Sequence, residues 1–300
     1  MAPLRDFLPH LGDFLDDANP PRLGFVGGQG KSGTTWVQML LDAHPDVSAL
    51  GEGHLAGGLA ARIMRALAEY RGVLQTNNLK FPALPDFPLP EDADAVELAR
   101  VALLLQFRKL ALRKPQASIL LDRTPGDIAH IAELRELFPA AKFVHVLRDP
   151  RDVAVSLWWH SNRIEPGHWQ KQAMTLNGLA TEVVVRWESM IRHTRATARA
   201  VHADMFEIRY EDLHDNPNAS AARLFDFIGV SSERSVVDAA LAASNFATVS
   251  GGRSPGQTDP SSHFRDGRAN SWRDSLPDWQ PTHVPASARA LMEELGYPQN

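Results

Sequence analysis

The sequence predicts an α/β fold, a parallel sheet flanked by helices, and three observations carry that prediction. Short β-rich runs alternate with helical patterns along the 300 residues. The runs are mostly apolar rather than alternating, as strands covered on both faces are. The first run, at 23–27, opens directly into Gly27-Gly28-Gln29-Gly30-Lys31-Ser32-Gly33-Thr34-Thr35-Trp36, which reads as strand, glycine-rich turn and helix. Strands and helices in that alternation build a parallel sheet with helices on both sides.

The glycine-rich turn leads into an amphipathic stretch from Trp36 to Ala43. Such a turn leaves backbone N–H groups unpaired at a helix N-terminus, where the helix dipole favours an anion. Lys31 adds a positive charge, and Ser32, Thr34 and Thr35 add hydroxyl donors. The segment suits a phosphate-like group; the plainer reading is an ordinary strand-to-helix turn. Gly30-Lys31-Ser32 matches the end of the triphosphate loop G-x-x-x-x-G-K-[ST], but Phe25 stands where its first glycine belongs.

Residues 51–115 read as a helical insertion. Helical patterns at 55–74 and 91–112 flank a loop punctuated by Pro82, Pro85, Pro88 and Pro90. A strand follows at 118–121, and a helix at 128–138 stops at Pro139. The next strand, 142–147, runs into Arg148-Asp149-Pro150-Arg151-Asp152-Val153-Ala154-Val155-Ser156. Pro150 suits the first helical position and Asp149 can cap it. Arg148 therefore sits at the carboxyl end of a strand, where open α/β sheets bind ligands. Ser156 follows about two turns later, and an arginine fork with a hydroxyl suits a phosphate monoester. The alternative is a capped helix whose arginines make surface ion pairs. A helix at 181–201 aligns Val184, Trp187, Ile191 and Ala198 on one stripe. The last strand, 205–210, precedes a helix at 219–228 that ends at Gly229. Residues 250–285 are rich in Gly, Ser, Pro, Asp and Arg and lack periodicity; a loop of that length is functional or disordered.

Composition bounds the function. The chain is 44% hydrophobic with formal net charge −5 and no cysteine. It lacks the basic surface expected of a nucleic-acid binder, and it has no thiolate metal site or nucleophile. Met1-Ala2-Pro3-Leu4-Arg5-Asp6-Phe7 does not read as a secretory signal. The longest apolar stretch, 101–112, is broken by Gln106, Arg108 and Lys109 and is too short and charged for a membrane span. The expectation is one cytoplasmic domain over 1–300. The histidines form no metal-binding framework, so no metal is expected.

Lys31-Ser32-Gly33-Thr34-Thr35-Trp36 resembles the 5′-phosphosulfate loop of sulfotransferases that use 3′-phosphoadenosine 5′-phosphosulfate (PAPS) and release 3′,5′-adenosine bisphosphate (PAP). The segment from Arg148 to Ser156 resembles the 3′-phosphate clamp of the same family. Arg209-Tyr210-Glu211-Asp212-Leu213 resembles a segment whose tyrosine lies near the adenine. Ser244-Asn245-Phe246 resembles one that stacks on the base. Phe264-Arg265-Asp266-Gly267, with Trp272 beyond, resembles the loop that closes over the 3′-phosphate, with Asp266 in place of a basic residue. The resemblance covers 22–300. It implies a P-loop-kinase-like sheet and a donor held by Lys31, Ser32, Gly33, Thr34, Thr35, Trp36, Arg148, Ser156, Tyr210, Ser244, Phe246, Arg265 and Gly267. Lys31 would also be catalytic, and the acceptor would enter from the side of the insertion.

Many cytosolic members carry a Lys-Thr-His base where this chain reads Asp122-Arg123-Thr124-Pro125, so the base lies elsewhere. Leu41-Asp42-Ala43-His44-Pro45-Asp46-Val47, followed by Gly51-Glu52-Gly53-His54, resembles the tyrosylprotein and bacterial branch. That match puts the general base on Glu52, with His54 and then His130 behind it. Arg123 would balance charge on the transferring group or pair with Asp122 or Asp127. Trp158, Trp159 and His160 are candidates for the acceptor pocket or for the core. The implied activity is sulfuryl transfer to a hydroxyl or amine of a small hydroxylated metabolite. The rivals are a nucleotide-dependent kinase on a related scaffold and a catalytically silent PAPS-binding protein. The acceptor's identity and the oligomeric state are open, a homodimer included.

Overall fold

A computed structural model describes residues 22–297. The sequence reading of Met1 to Phe7 lies outside the described residues. Five parallel strands form one sheet: β1 Arg22–Gly28, β2 Val47–Gly51, β3 Ile119–Arg123, β4 Lys142–Leu147 and β5 Asp204–Arg209. Their spatial order is β2-β3-β1-β4-β5. Because β1 leads to β2 on one side while β4 lies on the other, the chain changes direction beside β1. That is the crevice where open α/β sheets bind ligands.

Strand residues alternate between two apolar layers. Phe25, Leu120 and Phe143 join one core, with Leu103 and Phe107 of α3 (Asp92–Arg113) and Ile131 and Leu134 of α4 (Ile131–Leu137). Phe25 stacks on Phe143 at 5.7 Å and meets Phe107 edge-on at 5.8 Å. Val26, Leu121, Val144 and Val146 join the opposite core. That layer is closed by α1 (Thr34–Ala43), α9 (Pro217–Ile228) and α10 (Arg234–Ser244). A third cluster packs α5 (Pro150–Ile164) on α7 (Leu176–Ala200), with Trp272, Trp279 and α13 (Ala286–Glu294). The short helices are α6 His168–Lys171, α8 Tyr210–Asp215, α11 Phe246–Ser250 and α12 Trp272–Ser275.

The structure adds β2, which is not among the strands that the sequence predicts. Val-Ser-Ala-Leu-Gly is short and has a single β-branched residue, so local preference is weak; burial of Val47 and Ala49 against α1 supplies the strand. β3 runs to Arg123 rather than ending at Leu121, and β5 stops at Arg209 so that Tyr210 starts a helix. The 55–74 pattern becomes a π-turn, Leu55–Ala60, followed by α2, Ala61–Lys80. Among the described residues no helix is long and apolar enough to cross a membrane.

Candidate functional site

The carboxyl ends of β1, β3 and β4 frame a cavity of about 550 Å³. After β1, Lys31 adopts φ +77° and Gly33 φ +96°, folding the turn over the N-terminus of α1. A methyl group on Gly33 would lie 2.4 Å from the Tyr210 ring, so only glycine fits. Gly30, Lys31, Gly33, Thr34, Thr35 and Trp36 line the cavity. Ser32 is not among the lining residues; it is buried, and its hydroxyl donates to the Gln29 carbonyl at 2.7 Å, closing the turn.

After β4, the Asp149 side chain accepts the Arg151 backbone N–H at 2.9 Å and starts α5 with Pro150 in its first turn. Arg148 and Ser156 face the same cavity as the glycine-rich turn. The Arg148 guanidinium lies 4.1 Å from the Tyr210 ring centre and donates to the backbone carbonyls of Lys31, at 3.2 Å, and Arg268, at 3.1 Å. Tyr210 is thus wedged between Gly33 and Arg148, and the two anion-facing loops meet directly. Trp36 Nε1, Arg123 Nε and Arg148 Nε are buried donors with no partner among the described residues, all on cavity-lining residues. Unpaired buried donors are unfavourable until something accepts from them.

The third wall comes from 244–267. Ser244, Phe246, Arg265 and Gly267 line the cavity. The Ser244 hydroxyl itself donates to the Ala240 carbonyl at 2.8 Å. Gly267 has φ +73°, and a side chain there would strike Phe246 at 2.3 Å. Asp266 is buried, paired with Arg268 at 2.7 Å and near Arg265 at 3.6 Å, so it organises two arginines beside the cavity. This loop is anchored by Asp152 of α5, which accepts from Asn270 N at 2.7 Å, Ser271 Oγ at 3.0 Å and Trp272 N at 2.8 Å.

Glu52 lines the cavity beside Lys31 and Arg123, with its backbone at φ +61°. It is the one residue of 51–115 among those lining the cavity. The insertion helices instead cover a sheet face, because Leu103 and Phe107 are drawn into the Phe25 core. The loop after β2 hangs from β3 and the turn beyond it. Gly53 N donates to Asp122, His54 N to Thr124 Oγ1, and Ala56 N to Asp127. Burial pushes the Asp122 carboxyl up to about 6. The partner of Arg123 is Glu52, at 2.5 Å, rather than Asp122 or Asp127. His54 and His130 are not among the lining residues; His54 Nε2 lies 3.7 Å from Glu52 Oε2, and His130 Nδ1 lies 3.4 Å from Glu133 Oε1.

Five lining histidine and aliphatic positions, Met39, Leu157, His214, Val249 and His263, carry no sequence signal that singles them out. His160 also lines the cavity, four residues after Ser156 on the same helix face, a spacing that could have assigned it there. Trp158 instead stacks on Trp169 at 6.2 Å. The electrostatics are strongly cationic. Burial, with Arg163 next, lowers Lys31 to about 8, against an opposing pull from Glu52. Burial and then Lys31 and Arg163 lower His160 to about 4, and burial with Arg148 lowers His214 to about 4. Such a site suits an anion with phosphate-like groups at two places, one at the α1 N-terminus and one between Arg148 and Ser156. Among the described residues, no group of three or more His, Asp or Glu is arranged to hold a metal ion.

Comparison with known proteins agrees with this architecture. The omega-hydroxy-beta-dihydromenaquinone-9 sulfotransferase Stf3 of Mycobacterium tuberculosis (strain CDC 1551 / Oshkosh) is 28% identical over 158 residues, 49% of this chain and 40% of that protein. A putative protein-tyrosine sulfotransferase of Caenorhabditis briggsae is 24% identical over 215 residues, 70% of this chain and 66% of that protein. The matches span less than two thirds of these relatives' own lengths. Among solved structures, the sulfotransferase domain from the curacin biosynthetic pathway superposes with TM-score 0.53 at 18% identity, covering 94% of this chain and all of that one. Mouse sulfotransferase SULT7A1 complexed with PAP gives 0.51 at 15% identity, covering 95% of this chain and 86% of that one. At these identities the likeness concerns the fold. The model described as "Sulfotransferase family" matches residues 25–234, a span that holds both the glycine-rich turn and the Arg148–Ser156 segment; the chain belongs to that family.

Proposed function

We propose that this protein transfers a sulfuryl group from PAPS to a hydroxyl or amine of an acceptor and releases PAP. The observation that carries the reading is the meeting of two cationic loops, Lys31 to Trp36 and Arg148 to Ser156, on one cavity. A nucleotide with phosphates on both its 3′ and 5′ carbons needs two separated anion sites joined by an apolar floor. Trp36, Tyr210, Leu213 and Phe246 line the space between.

In this reading the N-terminus of α1, with Lys31, Thr34 and Thr35, holds the 5′ end. Arg148, Ser156 and Arg265 hold the 3′-phosphate, and Trp36 and Phe246 flank the base. Ser32 acts through the turn it closes and Ser244 through the helix end it secures. The unpartnered Nε protons of Arg148 and Arg123 fit an anionic donor. The bond from sulfur to the phosphate oxygen breaks as one to the acceptor oxygen or nitrogen forms. Lys31 neutralises charge growing on the leaving oxygen, a term that positioned cations supply in group transfer. Glu52 takes the acceptor's proton, and Arg123 fixes the orientation of that carboxylate. General-base assistance of this kind contributes about 10²–10⁴ in rate. The acceptor is a small hydroxylated molecule reached through the opening bounded by Glu52, Pro125, His160 and His263, and the chain acts as one domain in the cytoplasm.

The test is transfer of labelled sulfate from PAPS to a panel of hydroxylated compounds, read by mass spectrometry. Wild type gives labelled product, and Lys31→Ala and Glu52→Gln each lose most of it. Near wild-type transfer in both variants overturns the mechanism. PAP binding without any transfer would favour a silent binding protein.

A further inference from the structure

Beside the cavity lies a small crevice of about 10 Å³ that shares Lys31, Ser156, His160, His263 and Arg265 with it and adds Trp159, Arg163 and Ser262. Ser156, His160 and Arg163 stand at spacings of four and then three, one stripe running along α5 away from its N-terminus. The stripe therefore leaves the donor clamp and points out of the cavity.

The charges along it are uneven. Glu52 balances Arg123, and Asp266 balances Arg268. Arg163 is exposed and has no carboxylate within ion-pair distance among the described residues; its contact is Nη2 to His160 Nδ1 at 3.2 Å. Arginine can only donate, so His160 Nδ1 accepts and the neutral ring carries its proton on Nε2. Burial, and then Lys31 and Arg163, lower His160 to about 4 and keep it neutral. His160 is therefore a hydrogen-bond donor through Nε2, not a base. His263 packs edge-on to it, with ring centres 6.3 Å apart. Arg163, His160 and Ser262 line a crevice with room for about one water-sized group, which suits an anionic oxygen and not a second ring.

We propose that Arg163, with His160, is an anion subsite for the acceptor, so that the favoured acceptor carries a carboxylate or similar anionic group besides the hydroxyl that is sulfated. The proposal rests on the donor reading above. Arg163 is a specificity-determining residue in it, and the excess positive charge at the mouth is matched by the acceptor rather than by PAPS.

The experiment uses hydroxybenzoate, hydroxyphenylacetate and hydroxyphenylpropionate, each against its own methyl ester, with PAPS saturating. At least one acid is used about tenfold better than its ester in kcat/KM, the worth of one charge-assisted hydrogen bond at a partly exposed site. Arg163→Met brings that ratio to about one, chiefly through KM of the acid, and Arg163→Lys restores part of it. A ratio near one for every pair in wild type, or a preference that Arg163→Met leaves intact, overturns the proposal. PAP affinity is measured on the same preparations by calorimetry. If wild type binds PAP but favours no acid, this inference alone falls; if it does not bind PAP, the donor reading falls and takes this inference with it.

Discussion

The affinity for PAP falls with rising pH across the titration of Lys31. In the free protein that ammonium is half-buried and surrounded by Arg163, Arg123 and Arg148, and its value drops from 10.5 to about 8. An anion bound beside it reverses the balance and returns it towards the ordinary lysine range. Between those two values binding takes up a proton, so the association constant declines by up to about tenfold per pH unit. Below the lower value Lys31 is charged in both states and the affinity is flat. The sign for folding is separate. Between about 8 and 10.5 the unfolded chain holds more protons at Lys31 than the folded one, so this residue makes stability rise with pH there. The assay is calorimetry from about pH 7, where phosphate monoesters are already doubly charged, to about pH 9.5, in buffers of different ionisation heat. Lys31→Met removes the break and lowers affinity about 10- to 100-fold at neutral pH. Arg163→Met, which removes the largest cause after burial, moves the break upward. A flat profile in wild type, or a break that survives in Lys31→Met, refutes the assignment of Lys31 to the anion.

Three further outcomes follow from the geometry. Glu52→Gln lowers kcat about 10²–10⁴-fold while PAP affinity by calorimetry changes little; a fall in affinity of the same size would make Glu52 a binding group instead. Gly33→Ala must hold φ +96° with its methyl against Tyr210, so it costs about 1–3 kcal/mol in denaturant unfolding, and an unchanged midpoint contradicts the turn described here. Asp152→Ala leaves three donors of the 270–272 segment without their acceptor and Arg148 without its acid at 3.9 Å. It costs about 3–5 kcal/mol and exposes 251–271 to limited proteolysis; wild-type cleavage kinetics would show that the loop is held by other contacts.

Much of the proposed donor half of the cavity is legible in the sequence because its geometry is local. Lys31, the positive-φ Gly33 and the helix start at Thr34 fall within four residues, and Arg148, the capping Asp149 and Pro150 are consecutive. The loop at 264–267 is legible for the same reason, although Asp266 is understood only once Arg268 is seen on its carboxylate. The acceptor half is not local. The Glu52–Arg123 pair exists because β2 and β3 run side by side with Gly51 opposite Arg123. β2 itself has little strand preference and forms because its neighbours bury it. His263 reaches His160 across a hundred residues of chain, and no periodicity records such a meeting. What the helical insertion covers is not legible in the sequence, for a physical reason. An apolar helical pair can cover a sheet face or a ligand, and only packing of Phe107 on Phe25 decides for the face.

The central claim is that one mononucleotide with phosphates at both ends bridges the Lys31 loop and Arg148. Calorimetry of PAP, 5′-AMP and 3′-AMP without magnesium measures it directly. PAP is expected to bind at least about 100-fold more tightly than either monophosphate, since each phosphate makes charge-assisted bonds in its own pocket. Equal affinity for PAP and 5′-AMP, or tight binding only of magnesium-ATP, would contradict it.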